Sequence, residues 1–132
     1  MAPRRESRER ALGLCYESEL REITIPELLG ELPLEPDDYA VELARGVEEH
    51  SSEIDELLRR YSEHWAVERM PAVDRAVLRL GCYELTQVPD VPTAVVITEA
   101  VELAKLYSTK DSGRFVNGLL AKIAEEVRAP TP

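Results

Sequence analysis

Nine prolines and a series of capping signals cut this sequence into segments whose apolar residues recur at helical spacing. That punctuation leaves little room for anything but a helical architecture. The first segment runs from about Pro3 to Glu22, with proline tolerated at the start because its missing N–H would be an orphan there anyway. Ala11, Leu12, Cys15, Tyr16 and Leu20 form its apolar stripe. Extended backwards, the stripe meets Arg4, Arg5 and Arg8, so the arginines face the rest of the molecule but lie past its apolar end. Thr24-Ile25-Pro26-Glu27 is a capping box opening a short helix that Gly30 closes. Pro33 and Pro36 mark a loop, and Asp37 or Asp38 starts a helix carrying Tyr39, Val41, Leu43, Ala44 and Val47. Ser52-Glu53-Ile54-Asp55 caps the next, through about His64. A helix with Pro71 in its first turn extends to about Gln87, and another runs from about Thr93 to Tyr107. Asp111 or Ser112 caps the last, whose stripe is Phe115, Val116, Leu119, Leu120, Ile123 and Val127. The β-branched run Ala94–Thr98 has no partner strand and reads as helix. The predicted fold class is all-α, with residues 1–132 forming one domain.

Two details refine the packing. The segment 72–87 is apolar on most sides, with a narrow polar strip of Asp74, Arg75 and Arg79 and with Glu84 apart from it, which predicts a central helix. Gly13, Gly46, Gly81 and Gly118 all fall inside helices at a cost of roughly 1 kcal/mol each against alanine. They predict close helix crossings.

Hydrophobic residues make up 44% of the 132 and charged residues 32%, enough for a core and against disorder. No apolar run approaches a membrane span, and the N-terminus has no apolar signal-peptide core, so the chain is expected to be cytoplasmic. Cys15 and Cys82 sit in apolar helical patterns without a CxxC and read as reduced core residues. The net charge of −10 is unevenly spread: residues 17–63 hold four bases against fifteen acids, whereas residues 1–16 are net positive. Nucleic acid is therefore repelled mainly by one segment, and that segment suits a basic protein partner or a solvated face.

No nucleophile elbow, phosphate loop, dinucleotide fingerprint or zinc-protease motif is present, and His50 and His64 lack companions at ligand spacing. The sequence therefore predicts neither catalysis nor a metal site, and no cofactor. What remains is an arginine cluster at a helix start, a possible phosphate clamp, and a sharply patterned second half.

Val73-Asp74-Arg75-Ala76-Val77-Leu78-Arg79-Leu80, followed by Tyr83-Glu84-Leu85, resembles a signature of the NusB transcription antitermination family. Asp90-Val91-Pro92 with Val96-Ile97-Thr98-Glu99-Ala100-Val101-Glu102-Leu103-Ala104-Lys105 is similar to a second block, and Asp111-Ser112-Gly113-Arg114-Phe115-Val116-Asn117-Gly118-Leu119-Leu120 to a third. Arg8-Glu9-Arg10-Ala11-Leu12 with Tyr16 matches the N-terminal motif, and Val47-Glu48-Glu49-His50, Ile54-Asp55, Trp65, Glu68 and Arg69 match weaker ones. Thr98, Gly13 and Ala121 depart from the family pattern. The resemblance implies a compact bundle of about seven helices in two packed helical subdomains. It also implies two partners, the small-subunit ribosomal protein NusE and single-stranded boxA RNA, in an RNA polymerase complex that suppresses termination during rRNA transcription. By the same resemblance, Arg4, Arg5 and Arg8 form the RNA-binding start, and Tyr16, Asp111 and Phe115 adjoin the RNA. Tyr16 and Phe115 keep an alternative reading as core residues. Glu68 and Asp74, with Arg75 and Arg79 alongside, match positions where the family meets NusE. The rival reading is a structural homodimeric adaptor whose arginines serve only ion pairing.

Overall fold

The computed structural model describes residues 4–63 and 66–128. Among them seven α-helices follow one another: α1 (Arg4–Arg21), α2 (Ile25–Glu31), α3 (Asp38–Glu49), α4 (Ser51–Tyr61), α5 (Ala72–Gln87), α6 (Thr93–Tyr107) and α7 (Lys110–Val127). A single 3-10 turn, Val67–Arg69, stands between α4 and α5. The run Ala94–Thr98 lies inside α6, as its lack of a partner strand requires. The expected helix start at Pro3, the end near His64 and the motif residue Trp65 lie outside the described residues. No helix among the described residues is long and apolar enough to cross a membrane.

The caps explain where the helices begin. The Thr24 hydroxyl oxygen accepts the Glu27 N–H at 3.1 Å and opens α2. Gly30 does not close that helix, which runs one residue further and is capped at Leu32. Asp37 caps α3 by accepting the Ala40 N–H at 3.1 Å. The predicted cap at Ser52 is not used. His50 ends α3 and immediately begins α4 without a side-chain bond, so no residue is spare for a capping box. At α7 the cap is Thr109 rather than Asp111 or Ser112, its hydroxyl oxygen accepting the Ser112 N–H at 3.1 Å. Helix α1 ends on Glu22 at φ 54°, a left-handed turn that glycine usually supplies.

Helix α5 is the centre of the molecule, packed against α1, α3 and α4 on one side and α6 and α7 on the other. It buries residues all round its axis, from Ala76 and Val77 to Leu85. Its polar strip meets its complements: the Arg75 guanidinium forks onto Glu19, and Arg79 forks onto Asp55 at 2.9 Å and reaches Glu19 at 2.6 Å. The main core runs continuously between the two halves, and a smaller cluster of Leu14, Ile25, Leu28 and Ala44 lies under α1, α2 and α3. That second cluster corrects the expected stripe of α1. Leu14 is buried because α2 covers it, whereas Tyr16 and Leu20 turn to solvent at 39% and 70% exposure.

Two of the four glycines expected at close crossings stand at one. A Cβ on Gly46 would run into the Tyr83 ring, and one on Gly81 would come within 2.7 Å of Leu120. Gly13 and Gly118 face open space, and nothing in the structure explains them. Cys82 is buried and Cys15 half-buried, both as free thiols, and burial pushes the Cys15 pKa up to about 12. The far end of α5 is closed from outside. Arg128, just past α7, donates to the carbonyls of Glu84, Leu85, Val88 and Val91 at 2.6–3.1 Å.

Candidate nucleic-acid interface

The first turns of α1 hold three arginines in three different environments. Arg8 is 5% exposed, and its guanidinium donates in a fork to the equally buried Glu84 of α5, with Nε and Nη2 each 2.9 Å from a carboxylate oxygen. The Tyr39 hydroxyl donates to the same carboxylate at 2.5 Å. Burial works against the Arg8 charge, but the Glu84 carboxylate outweighs it and raises the arginine pKa. Arg5 is two-thirds exposed and forks onto Glu99 of α6 at 2.7 and 3.1 Å. The Arg5 hydrogen bond holds the Glu99 carboxyl below its ordinary range. Arg4 is exposed and stacks on the Tyr39 ring, 4.3 Å from its centroid, as a cation over a π face. Ser7 completes the anchoring by donating to Asp37, the cap of α3, at 2.5 Å. Arg4 and Arg5 can therefore meet a phosphate, while Arg8 is committed to holding α1 on the core.

Helix α6 lies along the same edge of α1. Arg5 stands opposite Glu99, and four residues on, Glu9 accepts the Tyr107 hydroxyl at 2.5 Å. Tyr16 follows Arg5 by eleven residues, just over three whole turns and roughly 16 Å, so both lie on one face. Its exposure removes the core reading for Tyr16. Beyond Tyr107 the chain turns into α7, where Asp111 is exposed in the first turn and Phe115 is half-buried against the main core. The stem of Lys105 covers Gly113, close enough that a Cβ there would come within 3.1 Å of it. Arg5 is thus linked to α6 through Glu99, and α6 to the first turn of α7 through the Lys105 stem, whereas Arg4 lies on Tyr39 of α3.

The four residues expected to meet a protein partner do not form one exposed patch. Glu68 is exposed, 4.0 Å from Arg59. Arg75 and Arg79 are engaged with Glu19 and Asp55, and Arg75 also donates to the Val67 and Met70 carbonyls at 3.2 and 2.8 Å. Asp74 is 2% exposed and accepts the Ser112 hydroxyl at 2.8 Å, which fastens the first turn of α7 to the first turn of α5. Its other oxygen, Oδ1, has no hydrogen-bond donor among the described residues. The carboxylate is therefore buried in this structure rather than presented to a partner. Sequence reasoning missed Tyr39, Glu99 and Arg128. The signal for the Arg8 pairing was Glu84 itself, an isolated acid in an otherwise apolar helix. Among the described residues no three His, Cys, Asp or Glu side chains are grouped to hold a metal.

The model of the NusB family matches residues 5–125. The transcription antitermination protein NusB of Kineococcus radiotolerans is 47% identical over 129 residues, covering 95% of each chain. Among solved structures, T. maritima NusB superposes with a TM-score of 0.85 at 43% identity, covering 98% of this chain and 94% of that one. The crystal structure of antitermination factors NusB and NusE in complex with dsRNA contains a chain that superposes with a TM-score of 0.80 at 28% identity, covering 93% and 96%.

Proposed function

The chain belongs to the NusB family of transcription antitermination proteins, and on that premise we propose that it acts by holding single-stranded boxA-type RNA jointly with NusE on RNA polymerase in the cytoplasm. The observation that carries the reading is the presentation of Arg4 and Arg5 in the first turn of α1, with Arg5 facing α6 across Glu99. Phosphate contacts from that end position the strand, the exposed Tyr16 ring stacks on an unpaired base, and Phe115 borders the strand at α7. Arg5 exchanges Glu99 for a phosphate without disturbing the core, because the pair is at the surface and contributes little to stability. The protein's net charge of −10 opposes RNA binding alone, and a basic NusE offsets it while adding contact surface. Glu68 is the exposed member of the partner set and the first NusE contact to test.

The test is a fluorescence-anisotropy titration of boxA RNA against the full chain with and without NusE. Binding is expected to be weak alone and tighter with NusE. Arg4→Ala and Arg5→Ala should each weaken it several-fold and lower the salt slope by about 0.7, the value for one lost single-strand phosphate contact. If both variants bind like the parent at low salt, the arginines serve ion pairing alone. Sedimentation of a stable homodimer would then favour the adaptor reading.

The same titration reads Asp111. Because Thr109 and not Asp111 caps α7, Asp111→Asn removes a charge beside the RNA and leaves the cap intact. RNA affinity is expected to rise by a few tenths to about 1 kcal/mol, the scale of helix-end charge effects, and more so at low salt. Weaker binding would show that the carboxylate accepts a hydrogen bond from the RNA.

A further inference from the structure

We propose that the cleft between α1 and α6 receives one unstacked guanine of the bound RNA, with Glu102 reading its Watson–Crick edge. This inference rests on the RNA-binding reading above and assigns the specificity of the same surface. The cleft has a volume of about 280 Å³, at the small end of the range for ligand sites. It opens between Arg5 and Lys105, the two cations that bracket the path from the start of α1 to the first turn of α7. Leu103 and Leu106 of α6 line it, and Leu106 is 67% exposed, an apolar surface on which a base can lie flat.

The charges around the cleft argue for a base rather than a phosphate inside it. Three cationic and three acidic side chains line it and balance one another. Glu99 is engaged by Arg5 and Arg8 and keeps Arg8, 3.7 Å away, when Arg5 turns to a phosphate, and Glu9 takes the Tyr107 hydroxyl. Glu102 is left with no hydrogen bond or ion pair among the described residues, and it sits on the exposed side of α6 one turn from Leu106. A carboxylate accepts hydrogen bonds and donates none. Guanine carries two adjacent donors on its Watson–Crick edge, a ring N–H and an amino group, which a single carboxylate takes as a fork. Adenine, cytosine and uracil offer one donor group each. Lys105 is placed for the flanking phosphate.

The test uses uridine dodecamers with one central guanosine, inosine or adenosine, titrated against the full chain with NusE present. The parent should bind the guanosine strand roughly five- to tenfold more tightly than the adenosine strand, the range for one net hydrogen bond. Inosine, which lacks the amino group, should fall between. Glu102→Gln should bind all three alike at an unchanged melting temperature. A parent that does not distinguish the three, or a Glu102→Gln variant that keeps the preference, overturns the proposal and leaves the RNA-binding reading standing. Failure of the parent to bind any of the strands overturns that reading and this one with it. If Glu102→Gln and Leu106→Ala weaken NusE binding instead and bind the strands like the parent, the cleft is a protein contact and the proposal is overturned.

Discussion

Arg8→Ala is expected to lower the free energy of unfolding by about 3–5 kcal/mol, the cost of breaking a buried ion pair by removing one partner. The residue sits near the free end of a surface helix, where substitutions ordinarily change little. Here the substitution strips Glu84, only 2% exposed, of its cationic partner and leaves it the Tyr39 hydroxyl alone. Urea denaturation followed by circular dichroism measures the effect. The double substitution Arg8→Met with Glu84→Leu should recover most of it, because apolar groups of similar size replace such pairs at little cost. A loss below about 1 kcal/mol for Arg8→Ala would show that water reaches the carboxylate, and that the pair is not sealed. The result also sets a condition on RNA measurements, since any Arg8 variant must be compared at equal folded fraction.

Arg128→Ala should cost about 2–3 kcal/mol, from the loss of charge-assisted hydrogen bonds to the end of a central helix. The last four carbonyls of a helix have no partner within it, and a cation near them also meets the negative end of the helix dipole. One guanidinium serves the Glu84 and Leu85 carbonyls of α5 and continues to Val88 and Val91 in the turn that follows, with Thr93 beyond. Lysine cannot span that set with a single ammonium, so Arg128→Lys should recover less than half of the loss in the same denaturation experiment. A variant with alanine and parental stability would mean that water serves these carbonyls equally well.

The helices themselves were legible because their signals are local. The bounds of α5 and α6 follow from prolines immediately before them and from an unbroken apolar period. Errors arose where an outcome depended on a distant segment. Tyr16 continues the apolar period of α1 as well as Leu14 does, and only the packing of α2 against Leu14 decides which is buried. Thr109 looks no better as a cap than Ser112, but Ser112 is held by Asp74, 38 residues earlier. The same limit applied to the interface. The arginines stood out as a cluster, and their face could be derived from helical phase. That Arg8 is buried while Arg4 and Arg5 reach solvent depends on where Glu84 and Glu99 come to lie. Of the partner-facing set, Arg75 and Arg79 show no sign in one dimension that Glu19 and Asp55 already occupy them.

The pairings that secure α1 also set a timetable for synthesis. Arg8 waits for a residue 76 positions later, and Arg5 for one 94 positions later. At roughly 5–20 residues per second of translation, α1 is outside its final surroundings for about 4–15 s before Glu84 has even been made. Arg128 then closes α5 more than 40 positions after that helix has been translated. A nascent chain of this kind can rest α1 on α2 and α3 early, but Arg5 and Arg8 lack their carboxylate partners and are cationic while they emerge from a ribosome whose surface is RNA.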